Sequence, residues 1–317
     1  MRVTNRMLVA NVLQNINRNL EIMSKTQKQM SSGKKVSRPS DDPIAVARIL
    51  SFKTALALQE QHNKNMEDAR GWLDASESAL NMATATLQRA RELAVYGANG
   101  TMSKASMKAL AEEVDQLIDE LVHTANTSYG GRFLFGGSQT TSAPFRRSDS
   151  PAKPVDYNGD EQSLEWEVAP QVTMSVNENG QKVFMAVIEA ADGLDVDTDN
   201  DGTPDKKSIF KLLQDLHDAL QGQDASRISG ELLGQFDQAI DHLLNIRATL
   251  GARSNRLVMA QERLFNAKIS LTETMSKLED INLAETVMYY KTQENVYQAA
   301  LATAAMVIQP SLINYLR

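Results

Sequence analysis

A seven-residue repeat of large apolar residues, from about Ser229 to Leu278, constrains the fold more than any other feature of this sequence. No proline interrupts the repeat, and its main column reads Phe236, Leu243, Leu250, Leu257, Leu264, Leu271 and Leu278. Such a repeat keeps one apolar stripe on one face of a long helix. About fifty residues at 1.5 Å per residue make a helix of roughly 75 Å, so another long helix has to cover the stripe. A helix in an ordinary bundle has the same seam and is the alternative to an elongated rod.

Amphipathic patterns predict further helices on both sides of this repeat. The predicted spans are about 5–30, about 44–96, about 103–127, a helix that begins near Ser208, and a terminal helix from 281 to about 308. Each terminal helix carries an apolar stripe, composed of Val9, Leu13, Ile16, Leu20 and Met23 in the first and of Leu283, Val287, Tyr290, Tyr297, Leu301 and Ile308 in the last. Because little nearby sequence can cover these stripes, we expect the two chain ends to meet and to become ordered in an assembly interface with other copies.

Residues 31–43 are predicted to form a loop that is crowded with charge. Gly33 lies where the first helix would end, and Pro39 prevents a helix from running through. Asp41 or Asp42 can cap the next helix, with Pro43 in its first turn. A simple connection between helices explains these features locally. The charged residues are also candidates for contacts with neighbouring subunits, and they are Lys34, Lys35, Arg38, Asp41 and Asp42.

The periodicity changes to two between about 155 and 184, where apolar residues alternate with polar ones. The pairs Asn158-Gly159 and Asn179-Gly180 are predicted to form hairpin turns in this region. We therefore predict a mainly α fold: a long, coiled-coil-like helical rod built from both chain ends, with a small β-rich insert. The predicted parts are terminal helices (1–43 and 281–317), a helical rod (44–130 and 206–280) and the insert (131–205).

Composition excludes several classes of function. The net charge is −7 and the pI about 5.3, which argues against nucleic acid as the main partner. The absence of cysteine excludes thiol catalysis and cysteine-ligated zinc. No stretch of about twenty apolar residues could insert in a membrane, and the N-terminus has no signal-peptide pattern. By these rules the chain is cytoplasmic, unless it is exported without a cleaved signal.

The sequence assembles no catalytic or cofactor motif, so an enzyme is the least favoured class and no cofactor is expected. One acidic run matches the first half of a calcium loop, through Asp197, Asp199, Asp201 and Asp205. The twelfth position of that loop is Ser208 rather than the bidentate glutamate. A solvated turn before a helix is therefore the alternative to a calcium site.

Several motifs resemble those of the bacterial flagellin family. Near the N-terminus these are Met30–Val36 (MSSGKKV) and Ser40–Pro43 (SDDP), and in the last third they are Leu250–Leu257 (LGARSNRL) and Glu279–Thr286 (EDINLAET). Three further features are most similar to the hook-associated members that join the flagellar hook to the filament. They are Gly131–Gly137 (GRFLFGG), the Ala143-Pro144-Phe145 that follows, and the ending Ser311–Leu316 (SLINYL).

The resemblance implies a structural adaptor of the hook–filament junction in the extracellular flagellum. It implies terminal helices in an inner coiled-coil tube, a surrounding rod and an outward insert. The implied partners are other copies in a ring, the first hook-associated protein on the hook side, flagellin on the filament side, and an export chaperone with the type III secretion apparatus. The alternatives are flagellin itself and, in another class, a cytoplasmic coiled-coil sensor or signalling rod.

Overall fold

The computed structural model describes residues 5–99, 102–148, 153–185, 187–188 and 207–308. Its helices are α1 (Asn5–Ser32), α2 (Pro43–Gly97), α3 (Lys104–Ala125), α4 (Ile209–Gly222), the short α5 (Ala225–Arg227), α6 (Leu233–Glu279) and α7 (Leu283–Ile308). Two π-helical turns, Gln181–Met185 and Ile228–Leu232, precede α4 and α6. The mainly α class is confirmed. The four aspartates of the predicted calcium loop, Asp197, Asp199, Asp201 and Asp205, lie outside the described residues.

Six short strands form three separate two-stranded antiparallel sheets. The pairs are β1 (Ser128–Tyr129) with β2 (Arg132–Phe133), β3 (Phe145–Arg147) with β4 (Val155–Tyr157), and β5 (Glu165–Ala169) with β6 (Val172–Ser175). The prediction that Asn158-Gly159 and Asn179-Gly180 form hairpin turns is wrong. The turn of the β5–β6 hairpin is Pro170-Gln171, where Gln171 has a φ of 61°.

By compactness the chain divides into a central unit (60–264) and a terminal unit (1–59 and 265–317). The predicted division into terminal helices, rod and insert stays a prediction, because compactness alone does not test it.

The central unit contains a continuous apolar core. Ion pairs of Arg91 with Asp237 (2.7 Å) and of Arg247 with Glu77 (2.8 Å) show that α2 and α6 run antiparallel within it. The first four residues of the heptad column, Phe236 to Leu257, are buried, and Leu264 packs against the edge of the core. The long helix beside the first part of the apolar stripe is therefore α2.

Aromatic rings from the strand region belong to the same core. Phe184, in the first π-helical turn, lies 5.3 Å from Phe135, 5.4 Å from Phe145 and 6.0 Å from Phe210 of α4, measured between ring centroids. Phe145 also contacts Tyr157 of β4 at 5.1 Å. Aromatic pairs at these separations add to the stability gained from burial alone. The described residues of the predicted insert thus share one core with the helices.

The terminal unit is much less buried. Among its described residues, Ile49 and Ala304 are the buried hydrophobic side chains. Many large apolar side chains on its helices are instead exposed, including Met7, Leu8, Ile44, Leu50, Phe265, Ile269, Met288 and Tyr289. Isolated exposed apolar residues are ordinary on proteins, but long rows of them indicate a surface that binds a partner.

Candidate assembly surface

The two helices from opposite chain ends, α1 and α7, pack against each other in the terminal unit. The backbone N–H of Ile281 donates to the carbonyl of Gly33 at 3.1 Å, so α7 begins beside the end of α1. The helices are therefore antiparallel. This packing agrees with the expectation that the two chain ends meet.

Each terminal helix covers one column of its heptad repeat and exposes the other. The covered column is half-buried at Val9, Ile16, Met23, Tyr290 and Tyr297 and fully buried at Ala304. The exposed column contains Leu13 and Leu20 of α1 and Val287 and Leu301 of α7, and Leu283, at the start of the covered column of α7, is also exposed. A two-stranded coiled coil buries both columns, so this pair is incompletely packed and fits further helices. The role of these residues in assembly stays a prediction, and the side chain of Ile308 lies outside the description.

A charged junction joins the loop after α1 to the end of α6. The carboxylate of Glu279, which is nearly buried, forms ion pairs with Lys34 and with Lys53 of α2, the latter at 2.9 Å. The backbone N–H of Lys35 donates to the carbonyl of Glu279 at 2.7 Å. Gly33 ends α1 with a φ of 70°, a conformation that glycine adopts at little cost. The junction therefore fixes where the chain turns between α1 and α2.

The same ion pairs lower the pKa of Glu279 and raise the pKa of Lys34. Hydrogen bonds from Lys34 and Lys53 hold the pKa of the Glu279 carboxyl below its ordinary value, and they outweigh the opposing effect of burial. The hydrogen bond to Glu279 raises the pKa of Lys34. Both groups are therefore charged at neutral pH.

The other charged residues predicted to contact neighbours have varied surroundings. Asp42 caps α2, because its Oδ1 accepts hydrogen bonds from the N–H groups of Ile44 (3.0 Å) and Ala45 (2.9 Å). Asp41 pairs with Lys25 at 3.6 Å and accepts from the backbone N–H of Arg38 at 3.2 Å. Within the described part of the chain, the side chains of Lys35 and Arg38 are exposed and have no ion-pair partner.

Sequence reasoning found Lys34 but missed Glu279 and Lys53. Glu279 is the first residue of the motif Glu279–Thr286, but that motif does not show that its carboxylate binds lysines, and Lys53 belongs to no motif. The contacts of Glu279 join segments that are more than two hundred residues apart. Among the described residues, no group of histidine and carboxylate side chains could hold a metal ion, and no helix is apolar enough over sufficient length to cross a membrane.

Comparison with known proteins accounts for this arrangement of helices. The model of the bacterial flagellin N-terminal helical region matches residues 3–140, and that of the C-terminal helical region matches residues 233–316. The chain belongs to the bacterial flagellin family. The resemblance inferred from the motifs is confirmed. The N-terminal match contains α1, α2 and α3, and the C-terminal match contains α6 and α7.

Individual relatives in the flagellin family cover nearly the whole chain. Flagellar hook-associated protein 3 of Escherichia coli is 28% identical over 95% of both chains. The flagellin of Bacillus subtilis is 25% identical over 98% of this chain and 97% of its own. Family members of this kind are structural flagellar proteins rather than enzymes.

Solved structures of hook-associated proteins have the same fold. That of hook-associated protein 3 from Legionella pneumophila is 20% identical and has a TM-score of 0.63, with 73% of this chain and 98% of the other covered. That of a putative hook-associated protein from Vibrio parahaemolyticus has a TM-score of 0.64 at 20% identity, with 76% and 100% covered. Each of the two structures therefore leaves about a quarter of this chain unmatched.

Proposed function

We propose that this chain is a structural adaptor of the bacterial flagellar hook–filament junction, and that copies of it polymerise in a ring through their terminal helices. The observation that carries the proposal is the half-covered heptad seam of α1 and α7, with Leu13, Leu20, Val287 and Leu301 exposed. An exposed apolar column at coiled-coil spacing fits a further helix of the same kind. A second copy of the chain supplies such helices.

The choice of the junction over the bulk filament rests on the relatives. Full-length similarity to hook-associated protein 3 is somewhat higher than similarity to flagellin, and the junction-type motif Gly131–Gly137 adds to that preference. The partners that follow are the first hook-associated protein on the hook side and flagellin on the filament side. Flagellin itself is the second candidate, because flagellins also match almost the whole chain.

Export is part of the same proposal. An adaptor of this kind works outside the cell, so the chain has to leave the cytoplasm unfolded through the flagellar type III apparatus, with a chaperone to keep its terminal helices from associating early. The weakly buried terminal unit supports this route, since a segment with little core of its own gains little stability before assembly. The absence of cysteine is compatible with export but does not argue for it.

Locating and counting the subunit on intact flagella tests the proposal. An epitope tag inserted between Gly130 and Gly131 would lie in an exposed turn, where both glycines have open space around them. We expect gold-labelled antibody to mark one narrow band per flagellum, and quantitative mass spectrometry to count far fewer copies than of flagellin. Label along the whole filament would make this chain the filament subunit. Label confined to the cytoplasm would favour the signalling rod and reject the adaptor.

A further inference from the structure

A groove, here called the hairpin groove, lies between the β5–β6 hairpin and α6 in the central unit. Its volume is about 320 Å³, which is within the range at which protein cavities hold ligands. The hairpin contributes Val172 and Met174 to its walls, and α6 contributes Met259. Val172 and Met259 are 40% and 62% exposed, so the groove presents apolar side chains to solvent.

Two arginines of α6, Arg256 and Arg263, line the same groove. Both side chains are exposed, and neither has an ion-pair partner in the part of the chain that the structure describes. Glu262, the nearest carboxylate along α6, projects about 160° round the helix from Ala260, which lines the groove. The other arginines of α2 and α6 within the central unit are ion-paired, and they are Arg70, Arg89, Arg91, Arg247 and Arg253. The hairpin groove is therefore apolar and carries two positive charges that no described carboxylate neutralises.

The spacing of the two arginines defines the shape of a complementary partner. Arg256 and Arg263 are seven residues apart, so they project from nearly the same face of α6 with about 10.5 Å between them along the helix. A second helix lying along α6 presents two carboxylates at that spacing when they are also seven residues apart. An extended strand presents the side chains of one face about 6.8 or 13.6 Å apart, and neither value matches. Met259 lies between the arginines, so a matching helix carries an apolar side chain between its carboxylates.

We propose that the hairpin groove binds an acidic amphipathic helix of another protein, which inserts an apolar side chain between Val172 and Met259 and places one carboxylate on each arginine. Hydrogen bonds between arginine and carboxylate are stronger than those between neutral groups, and a groove that takes an apolar anchor is a recurring way to bind a helix. Among the described helices, no pair of carboxylates seven residues apart has an exposed apolar side chain three or four positions after the first. A second copy of these helices therefore lacks the complementary pattern.

The experiment measures binding of a synthetic helical peptide to the full-length chain. The peptide is alanine-based and fluorescein-labelled, with glutamate at two positions seven residues apart and leucine three positions after the first glutamate. One control peptide replaces both glutamates with glutamine, and another replaces the leucine with serine. Fluorescence anisotropy at low ionic strength reports the affinity.

The protein variants separate the charge of the groove from its apolar part. R256Q/R263Q removes both charges, and M259S removes an exposed apolar side chain. The matched control is R132Q/R146Q, because Arg132 and Arg146 are exposed on β2 and β3 and do not line the groove. All the replaced side chains are exposed, and circular dichroism checks that each variant keeps its helices.

We expect R256Q/R263Q to weaken binding of the acidic peptide by about tenfold or more, because hydrogen bonds to charged groups are lost. The glutamine peptide should bind the wild type as weakly as the acidic peptide binds R256Q/R263Q. M259S and the serine peptide should each reduce the affinity, and added salt should weaken the wild-type complex. R132Q/R146Q should stay within about twofold of the wild type, since exposed charges away from the contact contribute little.

Three results would overturn the inference. The first is failure of the acidic peptide to bind, and the second is equal affinity of the acidic and glutamine peptides. The third is an equal loss in R132Q/R146Q and R256Q/R263Q, which would indicate attraction to the overall surface charge. If the peptide does not bind but R256Q/R263Q abolishes self-association of the full-length chain in sedimentation, the occupant of the groove is a second copy. None of these results bears on the adaptor function, which rests on α1 and α7 and is tested by the label on flagella.

Discussion

Lys34 and Glu279 form an ion pair although 245 positions separate them in the sequence. The Glu279 side chain is only 7% exposed, and its carboxylate also accepts a hydrogen bond from Lys53 Nζ at 2.9 Å. The two lysines keep nearly half of their surface in solvent, so the cations stay hydrated while the carboxylate is held. This arrangement ties the loop after α1 and the first turns of α2 to the end of α6.

The first prediction concerns the charge of Glu279. Replacing Glu279 with glutamine keeps the shape of the side chain and removes the charge that attracts two lysines. We expect the terminal unit to lose about 1 kcal/mol of stability, a value at the low end for charged hydrogen bonds because the lysines are well solvated. Hydrogen exchange should show faster exchange in α1 and α7. Glu273 is the control, an exposed residue that pairs with Lys277 on the same helix. Replacing Glu273 with glutamine should leave both the stability of the terminal unit and its hydrogen exchange unchanged.

The second prediction concerns pH. The pKa of Glu279 lies below its ordinary value of 4.5. The contribution of the Glu279 carboxylate to folding stability is therefore complete above pH 4.5 and is lost as the pH falls through the lower, folded-state pKa. The pKa of Lys34 lies above its ordinary value of 10.5. The contribution of the Lys34 ammonium to folding stability is therefore complete below pH 10.5 and is lost as the pH rises through the folded-state pKa. The difference in stability between the wild type and E279Q should be constant between these limits and shrink outside them. Thermal melts followed by circular dichroism would measure it, and a difference that changed steadily from pH 5 to 9 would contradict the assignment.

The helices of this fold were predictable because their signals are local. Heptad spacing located α6 and its buried residues to Leu257, and Pro39 and Gly33 located the break between α1 and α2. The sequence left the cap of α2 open between Asp41 and Asp42. The structure assigns it to Asp42, since that carboxylate accepts from two N–H groups at the start of the helix.

The strand region was less predictable, because its turns depend on tertiary packing. Asn179-Gly180 has the composition of a hairpin turn, yet Gly180 is needed for a different reason. An added Cβ there would overlap Phe145 Cζ and would lie 2.8 Å from the carbonyl oxygen of Phe135. Asn179 instead accepts from the N–H of Lys182 at 2.7 Å and begins the π-helical turn. Composition alone cannot distinguish a glycine that forms a turn from a glycine that is needed because neighbouring core side chains pack against its backbone.

The third prediction separates assembly from folding in the terminal unit. Leu20 and Leu301 are both 43% exposed, so aspartate at either position should leave the free subunit folded. In the assembly the same carboxylate would be buried without a partner, and association should fall by about 3 kcal/mol or more. Sedimentation would measure association, and circular dichroism would confirm the helix content. Ala304 is buried in the α1–α7 contact, so A304D should instead unfold these helices even in the free subunit.

The last prediction tests the close packing at Gly180. Alanine there would collide with Phe145, Tyr157 and the backbone of Phe135, so G180A should destabilise the central unit by about 2 kcal/mol, as overpacked cores do. Gly251 is the matched control, because it lies within α6 and has open space around it. G251A should stabilise the protein by about 0.5–1 kcal/mol, since alanine favours the helix. Urea unfolding followed by tryptophan fluorescence, from Trp72 in the same core and Trp166 packed against it, would measure both variants. If G180A were as stable as the wild type, the aromatic cluster would have to be looser than its ring separations indicate.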